Sequence, residues 1–551
     1  MPDPARETQG GAGCPHPAAC RWLSRRGEDT APYLAVVLLI LFTASLSGAS
    51  AGRALAEKYC ATCHLFPEPD TLTKSAWTEQ IKPGMAAWLG LKKPDYATMP
   101  DGELLRRAAI FPTAPLLSEA DWNTIWDYYR AAAPDALQPF SHLPVPISSL
   151  PLFRSRKLNP AAGAPMISLV HIDAARRQLL AGDAFAGMLF TFDARGKALA
   201  RERLGSPPVG INAGATRSYL TSIGHLFPSA VADGSVSAFV RFAEAPQLRL
   251  VLTNLHRPVQ TIAADLNQDG REDLVVCTFG NHLGRFSWFE NEGDGRYAER
   301  VLIDRPGAVH AEVLDANSDG RPDIFVMMAQ AREGIYLLLN EGGGRFALTP
   351  LMEQPPTWGF VSFELADFNR DGKIDLLAVN GDNGDWSLPV KPYHGLRLYL
   401  NDGWNHFTER FFYPLPGASR ALARDFDGDG DLDLAAIAFY PDFSAAAPES
   451  FLYLENAGAP SIARPGVTTS APGRAMLGAP AALRFVPRAL PEVAAGRWMT
   501  MDAGDLDGDG DIDLVLGSFV RGPTTQPVPA SVESRWRTNG AAVLLLENTR
   551  R

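Results

Sequence analysis

Five copies of one nine-residue pattern, Asp-x-(Asn or Asp)-x-Asp-Gly-x-x-Asp, set the tightest limit on what this 551-residue chain can fold into. They read Asp-Leu-Asn-Gln-Asp-Gly-Arg-Glu-Asp from 265, Asp-Ala-Asn-Ser-Asp-Gly-Arg-Pro-Asp from 315 and Asp-Phe-Asn-Arg-Asp-Gly-Lys-Ile-Asp from 367. Two more follow, Asp-Phe-Asp-Gly-Asp-Gly-Asp-Leu-Asp from 425 and Asp-Leu-Asp-Gly-Asp-Gly-Asp-Ile-Asp from 505. Successive copies start 50, 52, 58 and 80 residues apart. Each runs into an apolar stretch such as Asp-Leu-Val-Val-Cys-Thr-Phe, then a second ending in Asn, and most then show a Gly turn and a third β stretch. A repeat of this size made of several strands is a propeller blade. Residues 152 to 260 leave room for two more blades at that period, so the expected ring has seven. The last copy stops at Glu547-Asn548, before its final stretch. A bare sheet edge invites aggregation, so a strand from residues 137 to 175 is expected to complete that blade. The widest gap holds an Ala/Pro-rich insert, 459 to 495, which reads as a long surface loop.

Carboxylates or amides at positions 1, 3 and 5, a Gly at 6 and an Asp at 9 wrap oxygen ligands around a hard cation, and that chemistry selects calcium. The candidate ligands are Asp265, Asn267, Asp269 and Asp273; Asp315, Asn317, Asp319 and Asp323; and Asp367, Asn369, Asp371 and Asp375. The fourth and fifth sets are Asp425, Asp427, Asp429 and Asp433, and Asp505, Asp507, Asp509 and Asp513. An EF-hand would need a Glu at position 12 and flanking helices. Position 12 is Val276, Val326, Ala378, Ala436 and Leu516, so that reading fails in every copy. The net charge of -11, from 51 Lys and Arg against 62 Asp and Glu, is then housing for metal. The same balance argues against nucleic acid as a partner.

The repeats closely resemble FG-GAP, or VCBS, repeats, the calcium-bearing blades of integrin α-subunit propellers and many secreted bacterial proteins. The resemblance covers 265 to 551 well and 152 to 264 weakly. It implies a seven-bladed propeller with calcium at blade loops, a scaffold usually used for binding, and fold alone does not name the ligand.

The chain before the ring has a different character. From Asp29 to Arg53 there is no charge, and Arg21, Arg25 and Arg26 precede the apolar core of that gap. The positive-inside rule leaves the N-terminus in the cytoplasm and exports the body of the chain, from about residue 52 onward. Ala49-Ser50-Ala51 fits a signal-peptide cleavage site, while the uncharged gap approaches the roughly 20 residues that span a bilayer. A cleaved signal and a retained membrane anchor both stand, and either puts the body on the periplasmic side. Cys14 and Cys20 fall in this leader, Cys277 stands alone in an apolar stretch, and a disulfide framework is not expected. Residues 52 to 135 read as helical: in Ser118 to Arg130, a Ser N-cap precedes Trp122, Ile125, Trp126 and Tyr129 at helical spacing. A Pro-rich linker, 136 to 151, separates them from the β region.

Within the helical part lies Tyr-Cys-Ala-Thr-Cys-His, 59 to 64. In an exported protein Cys-x-x-Cys-His is the attachment signal for c-type haem, with Cys60 and Cys63 as thioethers and His64 as the proximal iron ligand. A zinc half-site would need a second ligand pair, and residues 65 to 135 contain no Cys or His. The segment resembles a class I cytochrome c domain. Gly52 matches the small residue where the first and last helices touch in that family, whereas Ala56 stands where the family has an aromatic. Only Met85 and Met99 can supply a sixth ligand between the motif and the closing helix. Met99-Pro100 resembles the Met-Pro of many class I ligand loops. In bacterial proteins that fuse this cytochrome type to such repeats, a Trp is followed by Pro-x-Met and Leu-Gly. Trp77, Pro83, Met85, Leu89 and Gly90 match that pattern, and Met85 is preferred, with His142 a distant third. Methionine/histidine ligation leaves no open iron site.

The expected protein is therefore multidomain, a small all-α cytochrome c domain followed by an all-β, seven-bladed propeller. The boundaries are 1–51 for the leader, 52–135, 136–151 and 152–551. Its first functional reading is a periplasmic cytochrome that carries single electrons to or from a redox partner protein. In this reading the propeller binds that partner or an extracytoplasmic ligand or polymer. The alternative is an oxidoreductase whose propeller oxidises a substrate and passes electrons to the haem, and an adhesin-like module ranks last. Aromatic loops, Phe279 with His282, Trp386 with Tyr393 and His394, and Tyr440 with Phe443, mark either a binding face or mutual packing.

Overall fold

The computed structural model describes residues 50–550 apart from 100, 139–145, 148, 161–162, 216, 241–246, 384–388, 445–449, 459–482 and 522–526. Residues 51–551 form one compact unit.

Seven four-stranded antiparallel sheets follow one another around a ring. Six blades are continuous in sequence, at 167–203, 208–255, 258–303, 308–354, 360–414 and 418–488. The seventh takes three strands from 498–548 and its outermost from Phe153–Leu158, which runs antiparallel to Val543–Asn548 with Phe153 opposite Asn548 and Leu158 opposite Val543. The strand expected from 137–175 thus closes the ring. The first strands of all blades touch their neighbours right round the circle, that of blade seven against that of blade one. Phe153 is anchored by Phe426 and Tyr453, rings of the adjoining blade at 5.9 and 6.0 Å.

The second strand of each motif-bearing blade is buried along its whole length, as in Asp273–Thr278 and Asp323–Met328. A short unbroken apolar run bounded by turns suits this position, because blades cover it on both faces. One core lies between each pair of neighbours. Between blades three and four it joins Val275, Phe286 and Trp288 to Ile324, Val326 and Tyr336.

Before the ring come α1 (residues 50–60), a π-helical turn Ala76–Ile81 that continues into α2 (Lys82–Trp88), α3 (Gly102–Ala108) and α4 (Glu119–Ala132). The Ser118 hydroxyl caps α4 by accepting the Asp121 N–H at 3.1 Å, as its position before the apolar stripe predicts. Ile125, Trp126 and Tyr129 are buried on that stripe. Where α1 crosses α4, a Cβ on Gly52 would come within 2.5 Å of Tyr128 Cβ, so only glycine fits this crossing. Ala56 lies fully buried one turn on.

Three features differ from the expected pattern. A strand precedes each motif and is the innermost of its blade, for example Pro258–Ala264, so the motif joins the first two strands and does not begin the blade. Part of the supposed loop 459–495 is structured. Phe485–Arg488 is the outer strand of blade six, held by Phe485 against Phe411 at 4.7 Å, and a 3-10 turn spans Pro491–Ala495. A helix, α5 (Ala530–Asn539), interrupts the β region inside blade seven, where Trp536 packs on Phe443. No described helix is long and apolar enough to cross a membrane, and the leader with Cys14 and Cys20 lies outside the described residues.

Candidate functional site

Each acidic motif is a loop wound around its first carboxylate. Asp315 accepts the N–H of Asp319 at 3.0 Å and of Gly320 at 2.8 Å, and Asp265 and Asp367 do the same in their own loops. Position 4 takes positive φ in every copy, at Gln268, Ser318, Arg370, Gly428 and Gly508. The glycine at position 6 takes larger positive φ, 81° to 94°, beyond the left-handed region that Gln268, Ser318 and Arg370 occupy at position 4, and this favours glycine there.

Position 9 begins the buried second strand and serves the frame. One oxygen of Asp273, Asp323, Asp375 and Asp513 accepts the N–H of motif position 2, at Leu266, Ala316, Phe368 and Leu506. The other oxygen accepts the N–H of an Asn at or within two residues of the end of the third strand. Asp433 keeps the second bond, to Asn456, and takes the Tyr453 hydroxyl in place of the first. These asparagines, Asn291, Asn340, Asn401, Asn456 and Asn548, return an amide N–H to the carbonyl of motif position 8. Burial raises Asp375 to about 6 and Asp433 and Asp513 to about 7.

The loops fall into two kinds. In blades three to five, position 7 is basic and covers the position-5 carboxylate. Arg271 pairs with Asp269, Arg321 with Asp319, and Lys373 with Asp371 at 3.2 Å. The Asn at position 3 also donates to that carboxylate, through Asn267, Asn317 and Asn369. At Asp319, burial alone would raise the pKa, but the bonds from Asn317 and Arg321 outweigh it and the net shift is downward. In blades six and seven, position 7 is itself an acid. Asp425, Asp427 and Asp429, and likewise Asp505, Asp507 and Asp509, bring three carboxylates within 4.8 Å of one another. Burial and the neighbouring acids raise Asp427 and Asp507. Three convergent carboxylates fit a hard divalent cation, and these two loops fit it best.

The Cys-Ala-Thr-Cys-His turn follows α1. Thr62 Oγ1 donates to the Tyr59 carbonyl at 2.7 Å, and His64 Nδ1 donates to the Leu65 carbonyl at 2.8 Å. That bond fixes the tautomer and leaves Nε2 as the nitrogen with a free lone pair. Burial, opposed by the Leu65 bond and aided by the Arg332 charge, holds His64 below its usual pKa. Burial, with Cys63 adding to it, pushes Cys60 up to about 11, and Cys63 is exposed. Tyr129 on α4 ties down the loop after the turn by donating to Pro67 O at 2.8 Å. Cys60 and Met85 pack against one apolar cluster built on Trp77, Trp126 and Tyr129; Met99 is not part of it. Trp126 Nε1 is buried there without a hydrogen-bond partner among the described residues, as is Gln80 Oε1 on the π-helical turn. Pro100 and His142 lie outside the described residues.

This helical part sits on the loop face of blades two to five. Asp101 accepts from Ser229 Oγ at 2.7 Å and from Ala230 N at 2.8 Å. Trp88 and Phe111 meet the edge of His282 at 5.5 and 5.9 Å. Tyr393 OH donates to Thr71 O at 3.0 Å, and Arg332 Nη2 approaches Ala61 O at 3.5 Å. The described aromatic residues of these loops are engaged in packing. His282 and Tyr393 face the helices, Tyr393 also stacks on Trp358, Phe279 lies under Arg257, and His394 is buried. Phe443 is covered by Trp536, Tyr440 packs on Phe439, and Trp386 lies outside the described residues. His282 and Tyr393 stand out in sequence as aromatic loop residues, but Asp101, Ser229 and Arg332 do not, because each becomes a partner only once the ring curls.

Strand topology and loops together define a seven-bladed β-propeller with acidic loops between the first two strands of five blades. The family described as FG-GAP-like repeat matches at residues 265–326 and 315–378, and these segments are FG-GAP-like repeats. No curated protein matches the chain. Among solved structures, the chain is similar to Sqt1 of Saccharomyces cerevisiae, at 10% identity over 74% of this chain and 100% of that one, TM-score 0.39. It is also similar to regucalcin, a calcium-binding protein of Agrobacterium tumefaciens strain C58, at 11% identity over 52% and 85%, TM-score 0.33. Scores this low add nothing to the strand topology.

Proposed function

We propose that this chain is an extracytoplasmic electron carrier in which a c-type haem on the helical part is held against a calcium-bearing propeller scaffold. The observation that carries the reading is the convergence of Cys60 and Met85 on one apolar cluster, beside a His64 whose Nδ1 is already engaged. Cys60 and Cys63 would hold the group covalently, and His64 Nε2 and Met85 would ligate its iron, with Met99 the alternative. When bound, the group supplies one reversible electron. The chain's own residues keep water from it through Trp77, Trp126 and Tyr129, and the unpartnered Trp126 Nε1 offers a donor to a polar edge. Calcium would be held by the five loops through Asp265, Asp315, Asp367, Asp425 and Asp505 and their partners, first of all in blades six and seven.

With His64 and Met85 both as iron ligands, no open site would be left for a substrate, and the partner would be a redox protein. The test is to mix the oxidised, purified chain with reduced small carrier proteins and, separately, with sugars and alcohols, and to follow the haem spectrum. Reduction by carrier proteins alone is expected. Reduction by a small molecule without added protein would move the function to a substrate-oxidising propeller.

A further inference from the structure

Arg332 ends the short loop 329–332 between the second and third strands of blade four, after Ala331 in a left-handed conformation at φ 58°. Its backbone is held firmly. The next residue, Glu333, is buried and accepts the N–H groups of Gly359 at 2.8 Å and Phe360 at 3.0 Å, which ties the loop to blade five. The Arg332 guanidinium reaches out of the ring to the carbonyl of Ala61, between the two cysteines of the attachment turn, and its charge acts on His64. Among the described residues no carboxylate forms an ion pair with it.

We infer that Arg332 is a positioning residue for the haem turn, a propeller cation that reaches the Ala61 carbonyl and favours the reduced state of the iron. This rests on the haem reading of the Cys-x-x-Cys-His turn. An oxidised iron carries one more positive charge than a reduced one, so a cation without a carboxylate partner near its proximal ligand disfavours oxidation. The propeller then does more than carry the helical part: through one side chain it sets the potential at which electrons are exchanged.

The experiment is a spectroelectrochemical titration of the full chain and its variants. Arg332→Gln should lower the midpoint potential, with the spectrum of a covalently held, six-coordinate haem unchanged. Arg332→Lys should restore most of the shift. Arg332→Met is a second neutral variant with the same expectation, should the first fail to fold. Tyr393→Phe removes a docking bond to Thr71 but keeps the cation, and should leave the potential where it was. An unmoved potential in both neutral variants, or an equal fall in Tyr393→Phe, overturns the assignment of charge to Arg332 while the haem reading stands. A wild-type chain without covalent haem overturns both.

Discussion

Asp323 accepts the N–H of Ala316 through one oxygen and that of Asn340 through the other, at a site with no exposed surface. Its removal strands two buried donors, each worth about 1–3 kcal/mol. Asp323→Ala should therefore destabilise the chain by about 2–5 kcal/mol in denaturant titration, even with calcium absent. An unchanged midpoint would contradict the frame role. Titration at Asp513 carries a second expectation. Its folded pKa is raised from 3.8 to about 7, so between those values the fold holds a proton that the unfolded chain has lost. Stability in chelator should then fall as pH rises from 5 to 8, and Asp513→Asn should flatten that slope in thermal melts. Equal slopes in the two chains would refute this account of the carboxylate. The nine-residue spacing makes every one of these aspartates visible in sequence, but not their division of labour. Positions 1, 3 and 5 shape a surface loop, and position 9 enters the core only because a buried strand begins there.

Elements were legible where burial was total. The apolar runs after each motif are covered on both faces and read directly as strands. The innermost strands, such as Pro258–Ala264, are partly covered and mix Gln and Thr with Ile and Ala, so no period stands out. Phe485–Arg488 sits in Pro/Ala-rich surroundings, and α5 buries only Val532 and Trp536. The closing strand was legible from an incomplete last repeat, and it gives the clearest element-scale prediction. A chain beginning at Ile167 lacks Phe153–Leu158 and bares the edge of Val543–Asn548, so it should self-associate in size-exclusion chromatography. A monomer with the full-length melting temperature would count against closure by that strand. Calcium titration of the full chain should show its tightest sites in blades six and seven, abolished by Asp427→Ala with Asp507→Ala. Survival of those sites in the double variant would overturn the ranking of the loops.

At the scale of the whole molecule, the ring and the helices before it behave as one object, joined through Asp101, His282, Arg332 and Tyr393. The Cys-x-x-Cys-His signal was plain from five adjacent residues, whereas this joint unites positions more than a hundred residues apart and needed the ring to be built. The central claim, that Cys60 and Cys63 hold a haem against a propeller, is tested most directly by intact mass under denaturing conditions. The full chain would be produced with a c-type maturation apparatus and treated with a thiol-alkylating reagent. We expect the mass of one haem retained after denaturation, with Cys60 and Cys63 resistant to alkylation and the added mass lost in Cys60→Ser with Cys63→Ser. A denatured chain of bare polypeptide mass, alkylated at both cysteines, would contradict it.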